Sequence, residues 1–120
     1  MAMISTGCVK RSDASRWKAY VSAGENSLDM TMRAQEAHDD LEMSIAHSMR
    51  VHLASLDAEA GALLIAEQRA WEQWSKARAQ LISDTYRGGS HRGLAYSYEM
   101  IDLYEERINR LHALDQDLAP

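Results

Sequence analysis

Five histidines are the residues of this chain best suited to metal or acid–base chemistry, and their spacing decides whether they can do it. A dinuclear carboxylate site in a helical bundle needs Glu-x-x-His on two helices, with partner glutamates on two others. Three residues before His38, His47, His52, His91 and His112 stand Gln35, Ser44, Met49, Gly88 and Asn109, so that motif does not occur. His47 and His52 are five apart and diverge on a helix, which excludes a His-x-x-x-His zinc pair. His38, Asp39, Asp40 and Glu42 crowd together in sequence, yet helical neighbours point in different directions. The lone cysteine, Cys8, has no evident base beside it, and no Gly-x-Ser-x-Gly is present. The pairs Asp39–Asp40 and Glu105–Glu106 read as solvated helix faces rather than as an acid and a base. The sequence assigns no catalytic residue, no cofactor and no metal ligand.

What remains is binding. Arg87-Gly88-Gly89-Ser90-His91-Arg92-Gly93 is an unambiguous loop whose backbone N–H groups and two arginines could face an anion. It lacks the Gly-Lys-Ser/Thr ending of a phosphate-binding loop, so a helix–helix turn is the simpler account. Arg87, Gly88, Gly89, Ser90, His91 and Arg92 are the candidate contacts for a partner. Trp71 and Trp74, three apart, fall on one helix face and are read as core anchors. Any exposed part of that face is left for a partner.

These groups must be held by helices. The chain has 120 residues, enough for one domain, and its single proline is the last residue, Pro120. Apolar residues make up 46% and charged residues 26%, which is globular, and the scarcity of Gly and Pro argues against an all-β sandwich. One cysteine excludes an internal disulfide. The net charge is −5, but residues 1–24 carry Lys10, Arg11, Arg16 and Lys18 against Asp13, so the acid lies in the remainder. Such a body repels phosphate backbones, which excludes nucleic acid, and attracts a basic protein. No apolar run approaches membrane-spanning length.

Residues 1–11 read as a flexible tail and 12–120 as a single helical domain. Ser12 or Asp13 caps a short helix running to about Ala23, with Gly24 as its left-handed stop. Asn26 or Ser27 caps the second helix, whose apolar positions Leu41, Ile45, Met49 and Leu53 recur at fours beside Ala34, Ala37 and Leu56. Asp57 caps a third, from about Ala58 to Tyr86, with an inner stripe of Leu64, Trp71, Trp74, Ala77 and Leu81. The fourth runs from about Leu94 to Leu114, with Leu94, Tyr98, Ile101, Ile108 and Leu111 inward. Short loops predict an all-α, antiparallel bundle of three long helices, with the short N-terminal helix packed across it.

Ala66-Glu67-Gln68-Arg69-Ala70-Trp71-Glu72-Gln73-Trp74, then Tyr86-Arg87-Gly88-Gly89-Ser90, then Leu103-x-x-x-Arg107-Ile108-x-x-Leu111 occur in that order. Together with Ala37-His38-Asp39-Asp40-Leu41 upstream, they resemble the LprI-type lysozyme-inhibitor domain over roughly residues 31–112. The resemblance makes Gln68, Trp71, Trp74 and Arg107 motif and core positions. It implies a non-enzymatic binding protein of the bacterial envelope that blocks a basic muramidase. Relatives usually carry an Arg-Asp pair where Ser75-Lys76 stands here. They also carry two bridging cysteines, near whose positions stand Ala79 and residues 97–99 (Ser97, Tyr98, Glu99). Thr6-Gly7-Cys8 is similar to the end of a lipoprotein signal, but the apolar stretch such a signal needs is missing. The expectation from the resemblance is periplasm or envelope; from the chain as it stands, cytoplasm. A cytoplasmic interaction module, such as an immunity protein that binds a toxin, is the alternative.

Overall fold

The computed structural model describes residues 15–120. The proposed tail, the Ser12 or Asp13 cap and Cys8 lie outside them. Five α-helices follow in order: α1 (Arg16–Ser22), α2 (Ser27–Ser55), α3 (Ala58–Ser83), α4 (Arg92–His112) and α5 (Leu114–Leu118). A 3-10 turn, Asp84–Tyr86, continues α3 into the loop. The all-α reading holds, and α5 is an element the sequence did not announce.

Side chains set the helix starts. Ser15 Oγ accepts from the Lys18 N–H at 3.0 Å, which makes it the cap of α1. At α2, Asn26 Oδ1 accepts from the Asp29 N–H at 2.9 Å while Asp29 Oδ2 accepts from the Glu25 N–H at 3.0 Å. This reciprocal arrangement satisfies two donors that the helix itself leaves free. Asp57 caps α3 through the Ala60 N–H at 2.8 Å. Leu56 and Asp57 alone separate α2 from α3, so the two helices must turn back on each other.

Gly24 does not stop α1 in the left-handed region; among the described residues Gly88 is the glycine with a positive φ, at 80°. Gly24 is instead a close-approach position. A Cβ there would lie 2.6 Å from Met30 Cγ and 2.9 Å from the Met30 amide nitrogen, so a side chain would push α1 off the start of α2.

Ladders of long-range contacts give the directions. His38 meets the Ser97 carbonyl and His52 the Leu111 carbonyl, so α2 and α4 run parallel. Arg107 reaches Glu67 and Gln68, while Arg78 reaches Glu99, so α3 is antiparallel to α4. Ser15 to Glu105, Lys18 to Asp102 and Ser22 to Tyr98 make α1 antiparallel to α4 as well. The up-down-up order is therefore present, but α4 is its centre. It packs along both α2 and α3, whereas those two meet little beyond their shared turn, where Gly61 faces Leu53. Met100, Ile101, Asp102, Leu103 and Tyr104 are buried in succession, which happens when a helix is covered on every side.

On α2 the predicted Leu41 and Ile45 are buried and Met49 and Leu53 half-buried. On α3 the predicted Leu64 is buried and Trp71 packs on the core, but Trp74, Ala77 and Leu81 do not face inward. The buried residues of α3 are Gly61, Leu64, Gln68, Ser75, Ala79 and Ser83. Trp74 and Leu81 face outward at 54% and 65% exposure. The physical reason is close approach: Ser75 and Ala79 are almost wholly buried against the bundle, and only small side chains fit there. Hydrophobicity pointed to the wrong side because the interface at this level is made of small residues.

Candidate functional site

Three of the four motif residues converge on one polar joint between α3 and α4. Arg107, 4% exposed, donates through Nε to Gln68 Oε1 at 2.7 Å and through a terminal nitrogen to Glu67 Oε1 at 2.9 Å. Its guanidinium also stands 5.9 Å from the centre of the Trp71 ring. Gln68 is held in turn by a long contact from its Nε2 to Glu72 Oε2, at 3.4 Å. A fork with this many fixed partners orients two helices in register. The hydrogen bond from Arg107 holds the Glu67 carboxyl below its ordinary range, against a smaller upward push from burial. Trp74 takes no part in this joint. It stands on the outer side of α3, so its reading as a core anchor is corrected by the same shift of face.

The Arg87–Arg92 segment forms the exposed tip of the α3–α4 hairpin. Arg87 and Arg92 share one partner, Asp84. Arg87 makes two bonds to it, at 3.0 and 2.6 Å, and an Arg92 terminal nitrogen lies 3.5 Å away. The Arg87 hydrogen bond, and less strongly the Arg92 charge, lower the Asp84 carboxyl below its usual range. The tip is therefore less positive than its sequence suggests, with one acid set between two bases. Its backbone is a tight turn in which the Arg87 N–H bonds the Asp84 carbonyl and the Gly89 N–H bonds the Tyr86 carbonyl. That second bond removes one of the donors an anion would need. Ser90, His91 and Gly93 line a groove of about 250 Å³ against Met30 and Thr31 of α2. Gly88 has open space around it, so its positive φ is what demands glycine. Gly88→Ala is expected to lower stability by about 1 kcal/mol, read as the urea midpoint, without changing the helical content.

A second joint, absent from the sequence reading, fastens α1. Lys18 Nζ pairs with Asp102 Oδ2 at 3.1 Å, and Ser15 Oγ donates to Glu105 Oε2 at 3.2 Å. Asp102 Oδ1 is buried with no hydrogen-bond partner among the described residues. Burial pushes the Glu105 carboxyl above its ordinary value, with the Asp102 charge adding to it. Nothing in the spacing of Lys18 and Asp102 along the chain advertised this pair, because 84 residues separate them. Among the described residues no group of three or more His, Cys, Asp or Glu stands close enough to hold a metal ion.

An opening at mid-bundle lies where α2 and α3 part over α4. It has a volume of about 280 Å³, with Met100 and Tyr104 as floor, Glu42 and Met49 on one wall, and Trp71 and Glu72 on the other. The Tyr104 ring sits between His38 of α2 and Trp71 of α3, at 5.7 and 5.9 Å between ring centres.

Compared with protein families, residues 8–111 match the family described as Lysozyme inhibitor LprI. The chain belongs to that family. Searches of curated proteins and of solved structures return no match. Within the matched span, Gln68, Trp71 and Arg107 lock α3 to α4. Further along the same interface, Ala79 is buried and Arg78 pairs with Glu99 at 3.6 Å. No helix among the described residues is long and apolar enough to cross a membrane.

Proposed function

We propose that this protein acts by binding rather than by chemistry, and that its partner is a muramidase whose cleft the α3–α4 tip enters. The observation that carries this reading is the family match across residues 8–111. The tip adds a mechanism. A muramidase cleft carries two carboxyl groups flanking the scissile bond. Arg87 and Arg92 project from a hairpin whose register is fixed by the buried Arg107 joint, so little order must be gained on binding. On contact, the cleft carboxylates compete with Asp84 for these two arginines. The acidic remainder of the chain meanwhile steers a basic enzyme from a distance. Electrostatics of this kind set the on-rate and the orientation, and the tip supplies the block.

The test is muramidase turnover at rising concentrations of the purified protein. Inhibition is expected at micromolar concentration or below, and Arg87→Glu with Arg92→Glu is expected to weaken it about tenfold or more. Loss of inhibition as salt rises would accompany steering by exposed charge. Failure to inhibit any lysozyme class at micromolar concentration removes the proposal.

A further inference from the structure

The cleft between α2 and α3 has a composition that the family motif does not require. Its walls bear Glu42 and Glu72 against the single cation Lys76, so its lining is net acidic. Its floor and one wall are the aromatic rings of Tyr104 and Trp71. Tyr104 is 9% exposed, and its ring points into the gap between α2 and α3. The residue lines the cleft, so its hydroxyl belongs to the polar part of that lining. Gln68, 7% exposed, also lines the cleft, with its oxygen committed to Arg107. The opening thus presents a phenolic hydroxyl, two carboxylates and two aromatic rings.

We infer that this cleft is a receiving site for an arginine side chain of a protein partner, the guanidinium lying among Glu42, Glu72 and the Tyr104 hydroxyl, against Trp71. A guanidinium has donors for all three acceptors and a flat face for the rings. A saccharide would also use the aromatic surface, but the acidic lining does nothing for a neutral sugar. An anion meets the wrong sign. Burial, with the charges of Glu42 and Glu72 adding, pushes the Tyr104 hydroxyl up to about 12, which keeps it protonated and neutral as an acceptor. The site goes beyond the tip described above and does not depend on which protein is bound.

The test uses the full chain labelled for NMR, with N-acetyl-arginine methylamide as probe and the citrulline analogue, of the same shape without charge, as control. Saturable shifts are expected at the Trp71 indole and the Gln68 side-chain amide, with a dissociation constant on the order of millimolar. The citrulline probe is expected to bind about tenfold more weakly, and Glu42→Gln with Glu72→Gln to weaken arginine by about the same factor. Both glutamates are exposed, so the double variant folds. Tyr104→Phe keeps the ring and is expected to weaken binding about threefold. Equal binding of the citrulline probe, no saturable shift with arginine, or an N-acetylglucosamine trisaccharide shifting these signals where arginine does not, would each overturn the inference. No muramidase enters this assay, so its failure leaves the proposed inhibition untouched.

Discussion

Arg107→Ala is expected to destabilise the protein by about 3 kcal/mol, measured as the loss of unfolding free energy in urea. The guanidinium is buried, and its loss removes two charge-assisted bonds across the α3–α4 interface. Gln68 Oε1 then stays buried with nothing to accept from, and the aliphatic stem no longer fills its place beside Trp71. Arg107→Lys keeps the charge but cannot make both bonds of the fork, so roughly half of that loss is expected. Glu67→Ala is the contrasting case: its side chain is 61% exposed, and a loss well under 1 kcal/mol is expected. The pH dependence has a definite sign. The Glu67 carboxyl is lowered in the folded protein, so its contribution is complete above its unfolded pKa and disappears as pH falls through the lower, folded value. The difference between wild type and Glu67→Ala should therefore shrink toward zero in acid. If Arg107→Ala unfolds at the wild-type midpoint, the joint does not hold the two helices.

Composition, caps and periodicity made most of the fold legible. Asn26, one of the two expected candidates, caps α2 and Asp57 caps α3, and Leu41, Ile45, Met49 and Leu53 face the core from α2, the last two half-buried. Period and polarity agree there, because a large apolar core lies beside that helix. On α3 they part. The buried face steps from Leu64 through Gln68 to Ser75, Ala79 and Ser83, and three of those five residues are polar. Their small size, not their hydropathy, fits them to the interface. A ladder of small residues at spacings of four was present in the sequence as a signal, but the larger Trp74 and Leu81 masked it. The same masking hid the role of α4. A helix enclosed by three others needs apolar or paired residues all round, and the acid at Asp102 obscured that pattern until Lys18 of α1 supplied its partner.

The candidate site divides in a similar way. Gly88 and Gly89 marked the hairpin tip correctly, since few residues besides glycine accept the backbone at Gly88. The positive charge of the tip is reduced because Asp84, placed in sequence at the end of a helix, folds back between Arg87 and Arg92. Its neutralising effect depends on a 3-10 turn, whose extent no periodicity reveals. The mid-bundle cleft was invisible for a deeper reason. It exists because α2 and α3 separate, and that separation follows from how far α4 wedges between them rather than from any motif.

Ile101→Ala is expected to cost about 3–4 kcal/mol, the upper part of the usual range for such a truncation, while Leu81→Ala should stay within about 0.5 kcal/mol of wild type. Both substitutions remove aliphatic side chains that the sequence pattern turned inward. Ile101 has no exposed surface and lies in the run Met100–Tyr104, which is buried throughout. Helices α1, α2 and α3 each pack against α4, so the space left by Ile101 cannot be closed by shifting one neighbour. The lost transfer energy is then joined by the cost of an unfilled cavity. Leu81 loses little because its 65% exposure means that little of it was removed from water on folding. For a domain of this size, whose whole stability is on the order of 5–15 kcal/mol, Ile101→Ala consumes a large share. The pair is read most directly by urea unfolding of both variants under one set of conditions. Equal losses would mean that α3 presents the face carrying Trp74 and Leu81 to the bundle, and that the small-residue interface is not the one that forms.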